Sequence, residues 1–163
     1  MKLLKEIIPY VLIVVIVVII RTYVVTPVKV QGESMIPTLK NKEILLLKKY
    51  DKKYERFDII VFKTDGDKLV KRVIGLPGEH IKYVDNKLYV NNELVKDAID
   101  VDTEDFDLKY LGVNKIPEGY YFVLGDNRGN STDSRLIGLI DENTILGSTS
   151  FSIFPFSTFG KVK

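Results

Sequence analysis

Hydrophobic and polar positions divide the chain into two unlike parts that meet near residue 25. Residues Ile7 to Ile20 are uncharged and almost wholly aliphatic, broken only by Pro9 and Tyr10. As a helix this run covers roughly 21 Å, short of a hydrocarbon core of about 30 Å. Extending it through Thr22–Val25, with Arg21 snorkelling to the surface, makes it long enough. A cleaved signal peptide has a similar charged start and apolar middle, but it needs small residues at a cleavage site. The stretch from Arg21 to Pro27 has no such pattern. The reading is therefore a short tail (residues 1–6), a membrane anchor (7–25) and a folded domain (26–163). Lys2 and Lys5 precede the span while Arg21 and Lys29 follow it, so charge alone does not orient it.

Beyond Pro27 the pattern predicts short strands. Val28 and Val30 alternate with polar residues, and Glu43–Leu47, Asp58–Phe62 and Lys68–Ile74 are compact apolar runs. Ile81–Val84, Lys87–Val90 and Glu93–Val95 are separated by Asp85-Asn86 and Asn91-Asn92, dipeptides suited to tight hairpins. Tyr120–Leu124 is a further strand, and a short helix is expected near Ser134. The predicted fold is mostly β, tethered to one N-terminal transmembrane helix. The acid-rich segment Asp97–Asp107 lacks the glycine of a calcium loop and is expected to be solvated. Lys48, Lys49, Lys52 and Lys53 read as a wet surface or a contact with anionic lipid. Phe151, Phe154, Phe156 and Phe159 suit either a last core strand or a surface dipping into the membrane.

Composition narrows the chemistry by exclusion. There is no cysteine, so thiol nucleophiles, thiolate metal sites and disulfides are ruled out. The single histidine, His80, rules out multi-histidine metal sites. With 24 basic and 22 acidic residues spread along the chain, no basic footprint for nucleic acid exists. No cofactor and no metal are expected. A hydrolase built from this chain must use Ser, Thr, Lys, Asp or Glu.

Three stretches carry candidate chemistry: Gly32 to Leu39, Lys71 to Glu79 and Gly125 to Arg135. A serine nucleophile needs a base. His80 follows a Pro-Gly-Glu turn and reads as a surface residue, which leaves lysine. An ordinary lysine has a pKa of about 10.4, and burial lowers it by up to about 3–5 units. In a strand, Leu69, Lys71 and Val73 share one face, an apolar setting able to desolvate the amine. An exposed strand lysine is the alternative.

Taken together, the stretches resemble the boxes of type I signal peptidases. Ser34-Met35-Ile36-Pro37-Thr38-Leu39 matches S-M-x-P-T-L after a membrane span. Lys71 through Glu79 matches K-R-[VI]-x-G-x-P-G-[DE], and Gly125 through Arg135 matches G-D-N-R-x-N-S-x-D-S-R. Phe57-Asp58-Ile59-Ile60-Val61-Phe62 stands for the G-D-I-V-V-F strand. The resemblance covers nearly the whole chain and is closest to the compact Gram-positive forms.

It implies a serine endopeptidase that removes signal peptides from secreted preproteins. Ser34 would be the nucleophile and Lys71 the general base, later the acid toward the leaving amine. Ser131 would orient the lysine, and Asp133 and Arg135 would hold that segment by an ion pair. The Ser34 N–H would help hold the oxyanion. Val30, Met35, Leu39, Leu69 and Val70 would line shallow pockets selecting Ala-x-Ala. The implied setting is a single-pass protein of the bacterial cell membrane, N-terminus cytoplasmic and domain on the outer face. Two departures stand out. Gly32 replaces a serine that supplies a second oxyanion donor in some members, and Gly147-Ser148-Thr149 replaces the usual Gly-Lys-Ala, which weakens the strand expected there. A self-cleaving repressor of similar fold would need a DNA-binding domain and an Ala-Gly bond, and the chain has neither. An assembly protein that had lost catalysis would have lost Ser34 or Lys71.

Overall fold

The computed structural model describes residues 2–50, 53–64 and 66–162. Helix α1 (Lys2–Ile19) passes into a π-helical turn, Ile20–Val24. The stretch Glu6–Val24 is long and apolar enough to cross a membrane and is not covered by the rest of the chain.

The chain leaves the helix directly into β1 (Val25–Lys29), the edge of a large antiparallel sheet. Pro27 is tolerated there because an edge strand has one unpaired side. The sheet continues with β2 (Ile44–Lys48), β3 (Ile59–Lys63) and β4 (Lys68–Gly75). Strands β5 (Ile81–Val84), β6 (Lys87–Val90), β7 (Glu93–Val95) and β8 (Phe106–Asp107) form a second sheet, ordered β7-β6-β5-β8. Both of its tight turns carry two residues at positive φ, Asp85-Asn86 and Asn91-Asn92, as hairpin twist requires. The chain then returns to the large sheet through β9 (Tyr120–Leu124), α2 (Ser134–Ile137), β10 (Ile140–Asp141), β11 (Ile145–Phe154) and β12 (Gly160–Lys161). The large sheet is ordered β1-β2-β11-β3-β4-β9-β10, with β12 on β11.

Strand β4 feeds three apolar clusters. Val70 packs with Val30, Met35, Leu39 and Val61; Val73 packs with Ile60, Phe62 and Val123; Ile74 joins Ile81, Leu88 and Phe122 beneath the second sheet. Both faces of β3 and β4 are covered, which explains why they read as apolar runs rather than alternating ones.

Several expectations are corrected. The strand weakened by Gly147-Ser148-Thr149 is ten residues long and lies inside the sheet, between β2 and β3. Gly147 lets it pass over β2, since a Cβ there would overlap the Lys48 carbonyl. The acidic segment is solvated at Asp100, Asp102, Glu104 and Asp105, as expected, but it is also tied to the second sheet. Asp105 accepts from Asp85 N, Asn86 Nδ2 donates to Asp102, and Asp107 caps a 3-10 turn while facing His80 Nε2 at 3.3 Å. His80 is half-buried, with Nδ1 2.7 Å from the Asn114 carbonyl. Lys49 Nζ donates to the Thr22 carbonyl, and Lys52 lies outside the described residues. Phe154, Phe156 and Phe159 are exposed, Phe156 by 83%, so these rings do not fill a core.

Candidate active site

The turn that carries Ser34 is pinned at both ends and from below. Val30 N donates to the Glu43 carbonyl and Lys42 N to the Val30 carbonyl, closing the loop at its base. Gly32, at φ +88°, makes the bend, and its N–H is taken up by Asn41 Oδ1. Met35 and Leu39 are buried and draw the turn onto the sheet, leaving Ser34 half-exposed at its crest.

Lys71 projects from β4 opposite Ile60 of β3. Only 2% of Lys71 is exposed, and its Nζ donates to Ser34 Oγ at 2.5 Å. Burial lowers its pKa from 10.5 to about 8, against an upward pull from the Asp133 and Asp126 carboxylates. The result is a lysine within hydrogen-bond reach of a serine and largely stripped of water. Such a pair can take and return a proton near neutral pH.

The segment after β9 closes over this pair. Asn127 N donates to the Ser34 carbonyl at 2.9 Å, and Asn127 Nδ2 donates to the Glu33 carbonyl. Gly125 N donates to Asp133 Oδ2 at 3.1 Å. Gly125 permits the close approach: a Cβ on it would stand 2.5 Å from the Ser34 carbonyl oxygen and nearer still to Ser131 Oγ. Ser131 is therefore beside the nucleophile turn. Its Oγ is buried with no hydrogen-bond partner, and a Ser131–Lys71 bond is not present among the described residues. Asp133 accepts from Arg135 Nε and Nη2, both at 2.9 Å, and caps α2.

The five pocket candidates separate. Val30, Met35, Leu39 and Val70 lie in one cluster with Ile59 and Val61. Leu69 falls on the opposite face of β4, with Val73, Ile60 and Phe62.

Residues that the motif reading left without a role hold the frame. Arg72, in β4, forms a buried two-point pair with Asp126 at 2.9 and 2.6 Å and reaches Thr38 of the nucleophile turn. Its Nη1 donates to the carbonyl of Phe57, a residue at φ +74° where the related pattern has glycine. Arg128 is buried and donates to the Gly125 carbonyl, Tyr83 OH, Thr103 Oγ1 and Asp97. Burial pushes the Tyr83 phenol upward, so it stays a neutral donor to Asp97. Arg72, Asp126 and Arg128 could have been found as charges inside otherwise apolar or tightly turned boxes. No local signal marked Asp97.

Residues 3–154 match the family described as signal peptidase, peptidase S26. The chain belongs to this family. It is 37% identical to signal peptidase I S of Bacillus subtilis strain 168, over 91% of this chain and 87% of that protein. It is 40% identical to signal peptidase IB of Staphylococcus aureus strain Mu50, over 86% of this chain and 84% of that protein. A crystal structure of a signal peptidase I from Enterococcus faecalis V583 superposes with a TM-score of 0.54 at 38% identity, covering 59% of this chain and 96% of that one. Membership makes the chain a serine endopeptidase of the signal peptidase I type, with a mostly β fold and one N-terminal apolar helix.

Proposed function

We propose that the chain removes signal peptides from secreted preproteins with Ser34 as nucleophile and Lys71 as general base, cleaving after small residues in an Ala-x-Ala pattern. The observation that carries this reading is the 2.5 Å contact between Ser34 Oγ and a lysine that is only 2% exposed. With the amine neutral, the Ser34 hydroxyl gives its proton to Nζ as Oγ attacks the scissile carbonyl. The oxyanion then faces the Ser34 N–H; Gly32 has no hydroxyl to add, and a backbone group or water takes that place. Collapse of the tetrahedral species returns the proton from Lys71 to the leaving amine. Water attacks the acyl-enzyme with Lys71 again as base, which restores the starting state.

Ser131 offers its unpartnered hydroxyl as an acceptor for the ammonium that forms. The wall of Val30, Met35, Leu39 and Val70 is close-packed, so extra methylenes on the substrate meet filled space. Residues 7–25 act as the anchor of a single-pass protein, with the N-terminus cytoplasmic and the domain on the outer face beside membrane lipid. Signal peptides reach it there. No metal, cofactor or nucleic acid enters this chemistry.

Purified full-length protein in detergent, incubated with a preprotein, tests the reading. Ser34→Ala is expected to lose all but trace cleavage while keeping its thermal transition. A Ser34→Ala protein that still cleaves at an appreciable rate would overturn the nucleophile assignment.

A further inference from the structure

We infer that Asn127 is the positioning residue of the oxyanion site: its side-chain amide aims and polarises the peptide unit whose N–H meets the oxyanion. This rests on the reading of Ser34 as nucleophile. The Ser34 N–H belongs to the peptide unit that carries the Glu33 carbonyl. A peptide unit is planar and trans, so its N–H points away from its C=O. Whatever grips the oxygen therefore sets the direction of the hydrogen.

The Glu33 oxygen is gripped twice. Ile36 N donates to it at 3.1 Å from within the turn, and Asn127 Nδ2 donates to it at 3.2 Å from the closing segment. A carbonyl oxygen only accepts, so the nitrogen of the Asn127 amide is the atom that faces it. Asn127 also holds the next peptide unit, since its own backbone N–H donates to the Ser34 carbonyl at 2.9 Å. One residue thus clasps the peptide units on both sides of the Ser34 Cα. Its place is fixed by buried neighbours: Asp126 is paired with Arg72, and Arg128 is tied to the Gly125 carbonyl and Asp97. Among the described residues no acceptor takes up the Ser34 N–H.

Two effects separate this arrangement from an ordinary turn contact. A carbonyl that accepts hydrogen bonds makes the N–H at the other end of its peptide unit a stronger donor. A donor already aimed needs no reorganisation as charge develops in the transition state. Both effects matter more where few donors share the oxyanion. Gly32 brings no hydroxyl, and its N–H is taken by Asn41 Oδ1. The bond from Asn127 Nδ2 is exposed, so it adds little to the stability of the fold.

Asn127→Ala removes the amide and keeps the backbone N–H that pins the turn. In the purified full-length protein it should lower kcat by about ten- to a hundredfold, less than the loss of a whole oxyanion donor. KM should stay within about twofold, as for an interaction made in the transition state. The thermal transition and the bend in the pH–rate profile should not move, because the surroundings of Lys71 are unchanged. Asn127→Asp keeps the shape but offers no donor at neutral pH, and should be at least as slow. A signal-peptide ester and its thionoester give the deciding readout, since a sulfur anion is the poorer acceptor. The ester-to-thionoester rate ratio should fall in Asn127→Ala by about the factor lost from kcat. An unchanged kcat, an equal loss on ester and thionoester, or a moved pH bend would overturn the inference. Cleavage that survives Ser34→Ala would instead remove the reading on which it rests.

Discussion

With Lys71 as the proposed base, the pH dependence of cleavage is expected to follow its titration. At a pKa of about 8, about one lysine in ten is neutral at pH 7; at the ordinary value it would be about one in three thousand. Burial thus raises the neutral fraction about three-hundredfold at pH 7, equivalent to roughly 3 kcal/mol. The sign follows from the direction of the shift. Desolvation disfavours the ammonium, so the rate should climb about tenfold per pH unit below pH 8, bend near 8 and flatten above it. Leu69 is the perturbation of choice because it shares the face of Lys71 and is only half-buried, so the fold tolerates a polar group there. Leu69→Gln admits water to one side of the amine and should move the bend upward by about one unit or less. The variant would then be slow at pH 7 and close to wild type near pH 10. Initial rates on a fluorogenic signal-peptide substrate from about pH 6 to pH 10 give the profile. Lys71→Arg keeps the charge but cannot accept a proton, and should be as inactive as Lys71→Ala. An active Lys71→Arg enzyme, or a bend that disappears in His80→Ala, would refute the assignment.

Four further outcomes are expected. Gly125→Ala drives a methyl into the Ser34 carbonyl and Ser131, and should cost about 1–3 kcal/mol. It should appear as a loss in kcat of roughly ten- to a hundredfold, measured with the same substrate; an unchanged kcat would contradict the close approach. Asp97→Ala leaves the Arg128 guanidinium buried without its carboxylate and should destabilise by about 3–5 kcal/mol, read by denaturant unfolding. Tyr83→Phe removes one hydroxyl from the same network and should cost about 1 kcal/mol; equal losses for the two variants would argue against a charge-based role. Arg135→Gln uncovers the Asp133 carboxylate and should shift the pH–rate bend upward. A lower kcat with an unmoved bend would mean that Arg135 only holds the turn.

How much was legible from the sequence depended on how local each cause was. The N-terminal apolar helix was readable because an aliphatic run of this length, broken only by Pro9 and Tyr10, has few other uses. The hairpins were readable because Asp85-Asn86 and Asn91-Asn92 accept the positive φ that such turns impose. Strand β11 was not, because its inward positions include Thr149 and Ser152, buried hydroxyls that hydropathy scores as surface. Both are satisfied, Thr149 by the Leu46 carbonyl and Ser152 beside Thr158. Strand β8 was hidden because two residues inside an acidic run make no periodicity. The Asp97–Arg128 pair joins positions 31 apart, and nothing near either residue announces the other. The set of pocket residues spanned both faces of β4 because neighbouring strand residues point apart; alternation alone separates Leu69 from Val70.

On the proposed reading, the arginines around Ser34 and Lys71 answer a problem that a lysine base creates. A carboxylate within a few ångströms favours the ammonium and spoils the base. Asp133 and Asp126 are the two acids that pull Lys71 upward. Both are needed in place: Asp133 fixes Gly125 N and starts α2, while Asp126 ties the closing segment to β4. Each is held by two hydrogen bonds to an arginine, Asp133 by Arg135 and Asp126 by Arg72. A guanidinium keeps its positive charge, so each arginine offsets the carboxylate that it holds. What reaches Nζ is the weak field of a dipole, and desolvation wins. Arg128 repeats the device one step further out, meeting Asp97 and binding the Gly125 carbonyl without leaving a net charge in the frame. Lys71 itself has no ion-pair partner among the described residues. The charges that build the turn are cancelled in pairs, and the amine beside Ser34 is left without a counter-ion, the condition under which it can act as a base.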